Sequence, residues 1–211
     1  MMFEYLRNRF GKKKIFVIGL NKSGTTTLHR FFASNGLKSA HWDYRGINIA
    51  ATVALNLSKG RPALSGIDQF HAYSDMCFHT NVAWIEGAEF FRQFEAEYPD
   101  AYFIFNYRDV EKFLKSRSQH PEELQRAMAY WNCSEQEVLA IWREYYHKHK
   151  AKVLSHFQNN PRFLAFDIEK DDPQAIVDLL RPDYTLDARK YRPFKVTAKK
   201  RWMVSAGAQP D

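Results

Sequence analysis

The chain has 211 residues, of which 45% are hydrophobic and 26% are charged, and these proportions exclude a collagen, a coiled-coil rod and a wholly disordered chain. Lysine plus arginine outnumber aspartate plus glutamate by 31 to 24, and the resulting net charge of +7 favours an anionic ligand, substrate or surface, including nucleic acid. The mean hydropathy is -0.53, and no apolar run approaches the ~18 residues of a membrane span.

The compartment is inferred from the first residues and from the cysteines. The segment Met1–Lys14 has scattered apolar residues without the continuous apolar stretch of a signal peptide. Cys77 and Cys133 cannot build a disulfide framework, and neither belongs to a CxxC pair. A reducing, cytoplasmic setting is therefore expected.

Short apolar runs alternate with helical patterns along the chain. The first half of the chain predicts a strand over Ile15–Gly19, a helix over Thr25–Asn35 stopped by Gly36, a strand over Lys38–Trp42, a helix over Ile47–Leu57 and a loop-rich stretch over Arg61–Thr80. An amphipathic helix over Ile85–Tyr98, a strand over Ala101–Tyr107 and helices over Val110–Ser118 and from Pro121 follow. The last predicted elements are a long helix from the capping box Ser134–Glu137 to about Gln158, a strand over Arg162–Phe166 and a short helix from Asp172 to Leu180. This alternation predicts a three-layer α/β fold with a mostly parallel sheet. No linker divides the chain, so we expect one domain over residues 1–211, with a core at about 14–180 and a basic, irregular C-terminal tail.

A phosphate-binding loop is predicted between the first strand and the first helix. The sequence GLNKSGTT, from Gly19 to Thr26, lies where free N–H groups and the helix dipole favour an anion. Its glycine spacing matches GxxxxGK[ST], but Thr25 stands where a nucleotide triphosphatase has its lysine, and Lys22 lies two positions before Gly24. The alternative, a polar turn without a ligand, explains less well why lysine, serine, glycine and three threonines converge directly after an apolar strand.

A second anion site is predicted after the Ala101–Tyr107 strand. Arg108 follows this strand, and in open α/β sheets ligands bind outside the carboxyl ends of the strands. Ser116 lies two helical turns further on, so that a guanidinium and a hydroxyl could hold one phosphate together. Taken alone, an Arg108–Asp109 pair at a helix start with a solvated serine is the more common arrangement.

Together the two sites resemble those of a known family. The sequence LNKSGTTT, from Leu20 to Thr27, resembles the 5′-phosphosulfate loop of the sulfotransferases, and YRDV…S, from Tyr107 to Ser116, resembles their 3′-phosphate motif. The resemblance runs from about Ile15 to Leu180 and includes YPDAYFIF, which is similar to bacterial members. It implies a P-loop NTPase-like α/β fold, the donor 3′-phosphoadenosine 5′-phosphosulfate (PAPS) and no requirement for a metal.

The resemblance also implies roles for individual residues. Lys22 would contact the bridging oxygen and the 5′-phosphosulfate, and Arg108 and Ser116 would bind the 3′-phosphate. The 5′-phosphate would be cradled by Ser23, Gly24, Thr25, Thr26 and Thr27. Independently of the family, a lysine and backbone amides aimed at a leaving phosphate lower the barrier to sulfuryl transfer electrostatically.

An acceptor hydroxyl or amine needs a general base within hydrogen-bond reach. His41 and Asp43 alternate about Trp42, so one strand would present both on one face, and histidine has the more suitable pKa. Asp75 resembles an acidic position of related bacterial sequences and is a further candidate. His71 and His79 are interpreted as solvated loop histidines, and Glu86 as a charge at a helix start. The aromatic residues Trp131, Trp142, Tyr145 and Tyr146 are interpreted as core. Trp84 could belong to the core or could contact the acceptor.

Several readings remain open at this point. The main one is sulfuryl transfer to an unidentified small-molecule or saccharide acceptor, for which the basic charge favours an anionic molecule such as a uronic or sulfated sugar. The runner-up is a P-loop kinase or nucleotide hydrolase that uses Asp167 as its magnesium-holding acid, although the lysine after Gly24 is missing. A nucleic-acid-binding module has no zinc spacing, RRM signature or basic helix to support it, and nucleic acid is not expected as a partner. A non-catalytic member of the family also fits the sequence.

Overall fold

The structure is a computed structural model that describes residues 13–194, and the predicted basic tail beyond Phe194 lies outside the described residues. Its strands are β1 (Ile15–Val17), β2 (Ser39–His41), β3 (Asp43–Tyr44), β4 (Ile47–Asn48), β5 (Ala72–Ser74), β6 (Cys77–His79), β7 (Trp84–Glu86), β8 (Tyr102–Tyr107) and β9 (Phe163–Asp167). Its helices are α1 (Thr25–Ser34), α2 (Ile49–Ser58), α3 (Phe91–Glu97), α4 (Val110–Ser118), α5 (Pro121–Trp131), α6 (Glu135–His156) and α7 (Gln174–Leu180), with 3-10 turns at Gly87–Phe90 and Ala188–Lys190.

The main sheet has the strand order β4-β3-β2-β5-β1-β8-β9. The five strands β2, β5, β1, β8 and β9 are parallel, and β3 and β4 extend one edge in antiparallel pairing. Because the parallel strands run in one direction, the loops that follow them meet at one edge of the sheet. The predicted mostly parallel sheet is thus confirmed, and all the candidate site residues belong to segments that begin at this edge.

Side chains alternate along β1 between the two faces of the sheet, which builds one apolar core on each face. Phe16 packs with α2, α3 and α6, and its ring stacks on Phe94 with centroids 4.4 Å apart. Ile15 and Val17 pack on the other face with α1 and α7. The predicted three layers are therefore confirmed. Within residues 13–194, no helix combines the length and the apolar character that crossing a bilayer requires.

A third, smaller core joins α4, α5 and α6 beside the carboxyl edge of the sheet. It is built around Trp142 and Tyr146, both buried, and it includes Leu20 from the loop after β1. The interpretation of these two aromatic residues as core is confirmed. Because Leu20 is anchored here, the helical layer directly supports the loop that the sequence singles out.

Local signals predicted the helix ends well. Gly36 has φ 82°, and the N–H groups of Gly36 and Leu37 bond the last turn of α1, as in a Schellman cap. Ser134 and Glu137 form the predicted capping box at the start of α6. The predicted helix at Ile47 begins two residues later, because Ile47 and Asn48 pair with β3 and the Asn48 side chain caps α2.

Two segments differ from the sequence-based prediction. The predicted helix over Ile85–Tyr98 is wrong for its first half, where β7 pairs with β6 and a 3-10 turn precedes α3. Gly87 packs against Met76, and a Cβ on Gly87 would lie 2.9 Å from the Met76 carbonyl oxygen. The stretch over Arg61–Thr80 was predicted to be loop-rich, yet it contains β5, a three-residue strand at the centre of the sheet. Such short strands have no periodicity of their own and exist through pairing with β1 and β2.

Candidate active site

The loop between β1 and α1 is held by Asn106, a buried polar residue in the otherwise apolar strand β8. Asn106 Oδ1 accepts the Gly19 N–H at 2.9 Å, and its Nδ2 donates to the Ser23 carbonyl at 2.7 Å. A Cβ on Gly19 would lie 1.9 Å from the Asn106 carbonyl oxygen, so only glycine fits there. One side chain therefore ties both ends of the loop to the neighbouring strand.

Lys22 and Gly24 give the loop its tight curvature. Both adopt left-handed backbone conformations, with φ 64° at Lys22 and 82° at Gly24. A lysine at positive φ costs about 1–3 kcal/mol, and such strain is concentrated at functional sites. A Cβ on Gly24 would also come within 2.9 Å of the Ile168 side chain. Gly24 is the N-cap of α1, so the loop ends at a helix N-terminus, where the first backbone N–H groups have no intrahelical acceptor.

The three threonines that begin α1 direct their hydroxyl groups to different partners. Thr25, Thr26 and Thr27 contact, in that order, Asp75 Oδ1 (2.9 Å), His41 Nε2 (3.3 Å) and the backbone N–H of Phe194 (3.0 Å). The first two contacts link the loop to the carboxyl ends of β5 and β2. Because the three hydroxyl groups have partners within the protein, an anion at this helix start would be bound mainly by the backbone N–H groups and stabilised by the helix dipole.

His41 and Asp75 lie side by side at the ends of the adjacent parallel strands β2 and β5. His41 Nε2 is 3.6 Å from Asp75 Oδ2, and each side chain is 19% exposed. The Ser74 hydroxyl donates to the Ala40 carbonyl, so it accepts from His41 Nδ1, which lies 3.1 Å away. In a neutral His41, this arrangement favours the tautomer with the proton on Nδ1, in which Nε2 is the basic nitrogen facing Thr26 and Asp75.

Asp43 does not continue the strand of His41, and the prediction of one strand bearing both residues is wrong. β2 ends at His41, Trp42 takes φ 62°, and the chain reverses into β3. Asp43 instead pairs directly opposite His41, and opposite residues of an antiparallel pair share a face. The two side chains are therefore neighbours because of pairing rather than because of alternation along one strand.

Arg108 follows β8 and reaches back to the loop. Its Nη1 is 3.5 Å from the Lys22 carbonyl, and its Nη2 pairs at 2.6 Å with Glu169, which also binds Lys112. Its backbone carbonyl accepts a hydrogen bond from the Tyr146 hydroxyl. Arg108 Nε is buried and has no hydrogen-bond partner within residues 13–194. The guanidinium is thus held beside the loop by two of its five N–H donors.

Ser116 lies on α4, two turns after Arg108, with a half-buried side chain. Asp109, the partner of Arg108 in the non-functional interpretation, instead caps α4 by accepting from the N–H groups of Glu111 and Lys112. The Arg108 side chain is therefore directed toward the loop and Glu169 rather than toward Asp109.

Two further histidines border the site and are mainly neutral near pH 7. Burial, the nearby His41 and Arg30 lower the pKa of His29 to about 4, and its ring stacks on His41 with centroids 5.0 Å apart. Desolvation and the positive charge of Lys22 lower the pKa of His120. No local sequence pattern distinguishes either residue, since their proximity to the site comes from tertiary packing.

A buried polar cluster beneath the loop was also not predicted. His79, Glu86, Arg117 and Glu123 pack together, and Glu123 binds Asn21 of the loop. The interpretations of His79 as a solvated loop histidine and of Glu86 as a helix-start charge are wrong, because both side chains are almost fully buried in ion pairs. Nothing in the local sequence distinguishes these residues from surface charges. Asn106, by contrast, could have been found as the one polar residue within the apolar run of β8.

Residues 14–160 match the model of a family described as a sulfotransferase domain. This match covers more than half of the chain and contains both the loop after β1 and the Arg108 segment. The chain therefore belongs to the sulfotransferase domain family, whose class of reaction is sulfuryl transfer, and the resemblance inferred from the two motifs is confirmed. No curated protein sequence matches the chain significantly.

Proposed function

We propose that the chain transfers a sulfuryl group from PAPS to a hydroxyl or amine of an acceptor. The observation that carries the proposal is the pairing of two cationic side chains at one sheet edge. Lys22 lies within a strained loop at a helix N-terminus, and Arg108 reaches that same loop from the next strand. A donor with phosphate groups at both its 5′ and 3′ positions would use both groups.

The described residues fit such a donor. Ser23 Oγ and Arg108 Nε are buried without a hydrogen-bond partner in residues 13–194, and buried polar atoms of this kind normally have one. In the proposed assignment, Lys22 and residues 23–27 hold the 5′ side, and Arg108 and Ser116 hold the 3′-phosphate, which contributes binding energy away from the reacting centre.

When bound, the donor supplies the sulfuryl group, whose S–O bond to the 5′-phosphate breaks as a new S–O bond to an acceptor hydroxyl, or an S–N bond to an acceptor amine, forms. Lys22 stabilises the negative charge that grows on the leaving phosphate, together with the N–H groups of the helix start. His41 Nε2 takes the acceptor proton, and Asp75 stabilises the imidazolium that results. Asp75 can itself be the base, with the Thr25 hydroxyl bond orienting its carboxylate.

The acceptor is proposed to be a small molecule or saccharide, and the net charge of +7 favours an anionic one. We keep as proposals a cytoplasmic setting, one domain over residues 1–211 and no metal requirement. The kinase reading is less favourable because Thr25 replaces the Walker lysine. In addition, the Asp167 carboxylate accepts the Glu169 N–H at 3.0 Å and so closes the turn after β9.

Ligand-dependent thermal stability tests the donor assignment. 3′-Phosphoadenosine 5′-phosphate should raise the melting temperature more than AMP or ATP, because it alone supplies both phosphate groups. A matching experiment incubates the protein with labelled PAPS and a panel of sugars, phenols, lipids and peptides. Transfer of label supports the proposal, whereas donor binding without any transfer indicates a non-catalytic member. A larger shift with ATP and Mg²⁺ would favour the kinase, and salt-sensitive binding of any duplex without donor binding would favour a nucleic-acid module.

A further inference from the structure

The buried polar cluster lies beneath the phosphate loop and joins four elements. His79 comes from β6, Glu86 from β7, Arg117 from α4 and Glu123 from α5. None of these side chains is more than 9% exposed. The Arg117 guanidinium packs over Trp142 at 4.6 Å and over Trp84 at 5.4 Å, so the cluster is walled by aromatic rings.

Both ring nitrogens of His79 face carboxylate oxygens. Nδ1 is hydrogen-bonded to Glu123 Oε1 at 2.7 Å, and Nε2 lies 3.2 Å from Glu86 Oε1 as an ion pair without hydrogen-bond alignment. The ring is held in this orientation by stacking on Trp84, with centroids 3.8 Å apart and an interplanar angle of 8°. A neutral imidazole would direct the lone pair of one nitrogen at a carboxylate, so this geometry fits a ring that carries a proton on both nitrogens.

The net charge of the cluster also favours a protonated His79. Glu86 and Glu123 supply two negative charges and Arg117 one positive charge, so a protonated His79 makes the cluster neutral. Burial alone would lower the pKa of His79, but the Glu86 charge and the hydrogen bond to Glu123 raise it above the ordinary value. Burial opposes ionisation of Glu86 as well, yet His79 and Arg117 lower its pKa to about 2.

The cluster is bonded to the residue that precedes the loop lysine. Asn21 Nδ2 donates to Glu123 Oε1 at 3.1 Å, and this oxygen is the one that receives His79 Nδ1. Arg117 Nε and Nη2 also approach it, at 3.3 and 3.2 Å. Loss of the proton on His79 Nε2 would leave Nδ1–H bonded to Glu123, but it would leave a net negative charge behind a loop that must bind a polyanion.

We propose that His79, as an imidazolium, is a positioning residue for the phosphate loop: its Nδ1–H holds Glu123, and through it Asn21, behind Lys22, and its positive charge keeps the protein behind the loop electrically neutral. Its effect on the donor rests on the proposed function. Its protonation state does not, and it can be measured separately.

The other ionisable groups near His79 keep one protonation state over the pH range in which His79 can be tested. Burial raises the pKa of the Cys77 thiol and of the Tyr145 phenol, so both stay uncharged in the range used. His120, on the other side of Glu123, has a lowered pKa and is mainly neutral above pH 7. Glu86, Glu123 and Arg117 keep their charges throughout.

The first measurement is the nitrogen NMR spectrum of the histidine rings, with the His79 signals assigned through His79→Gln. We expect both His79 nitrogens to have imidazolium shifts at pH 8, where a histidine with the unperturbed pKa of ~6.5 is neutral. A neutral His79 ring at pH 7, with one unprotonated nitrogen, would overturn the proposal. This readout needs neither the donor nor activity.

The second measurement is calorimetric affinity for 3′-phosphoadenosine 5′-phosphate between pH 6.5 and 9.5. The wild-type affinity should fall as His79 loses its proton. His79→Gln should bind about 10-fold more weakly or worse at pH 7, which corresponds to about 1.4 kcal/mol, and should lack that part of the pH dependence. The matched control is His156→Gln, which removes the pair between His156 on α6 and Glu95 on α3 and should bind the ligand as wild type does.

The outcomes separate the two proposals. If the wild type binds the ligand and His79→Gln binds it equally well with the same pH profile, the positioning role is refuted and the proposed function stands. If the wild type does not bind the ligand, the proposed function fails, while the NMR result still decides the state of His79. Should His79→Gln fail to fold, Asn21→Ala cuts only the link to the loop. It should lower affinity while His79 stays protonated, and unchanged affinity would refute the role.

Discussion

The clamp formed by Asn106 offers the most direct test of how the fold supports the loop. Asn106→Leu keeps the approximate volume but removes the acceptor for the Gly19 N–H and the donor to the Ser23 carbonyl. Asn106 is 1% exposed, so water cannot easily replace either bond. Two unsatisfied buried groups cost about 1–3 kcal/mol each, or roughly 2–6 kcal/mol of the free energy of unfolding. For a chain of this size the melting temperature should fall by about 5–20 °C.

The chain offers a matched control for this substitution. Asn56 on α2 is also buried, and its Nδ2 donates to the carbonyls of Ala63 and Ser65 in the segment after α2. It has no part in the loop between β1 and α1. Asn56→Leu should therefore destabilise the protein to a similar extent. Calorimetry with 3′-phosphoadenosine 5′-phosphate, performed well below both melting temperatures, separates the effects. Asn106→Leu should lose at least ~10-fold in affinity, about 1.4 kcal/mol, and Asn56→Leu should lose little. Equal affinities for the two variants would refute the idea that Asn106 shapes the anion site.

The remaining predictions concern the site residues and acid stability. Lys22→Ala should lose turnover by roughly 10²–10³ while donor affinity falls only modestly, since backbone amides still hold the phosphate; full activity in steady-state assays would contradict sulfuryl transfer at this loop. Arg108→Lys should weaken donor binding in calorimetry although the charge stays, because lysine lacks the planar fork, and a loss of stability alone would indicate a structural role. His41→Ala and Asp75→Asn should lower turnover with donor affinity intact, and the variant with the larger loss in kcat identifies the base. The pKa of Glu86 is lowered from 4.5 to about 2, so the stabilisation from its ionised form is present above pH 4.5 and is lost as the pH falls toward 2. In Glu86→Gln, the free energy of unfolding from urea denaturation should therefore fall less steeply between pH 4.5 and 2. The same pH dependence as in the wild type would argue against the buried pairing.

The site was predictable where its chemistry is local in sequence. Lys22, Gly24 and the threonines stand together after an apolar strand, and Arg108 follows the strongest strand of the chain, so both segments could be assigned to the carboxyl edge of a parallel sheet. Asp75 could be proposed only by resemblance, because the short strand that carries it has no recognisable pattern. Its proximity to His41 follows from the pairing of β5 with β2, a contact between segments 33 residues apart.

Alternating apolar strands and amphipathic helices, together with glycine and capping signals, sufficed to predict the three layers, the parallel sheet and most helix ends, because these depend on burial and on backbone groups a few residues apart. Tertiary structure decided where the chain reverses at Trp42, which strand Trp84–Glu86 joins, and which charges are buried. Glutamate and arginine look alike on a surface and in a core when read one at a time. Only the meeting of β6, β7, α4 and α5 makes His79, Glu86, Arg117 and Glu123 one neutral cluster, since a buried charge is tolerated when its partner arrives from another element.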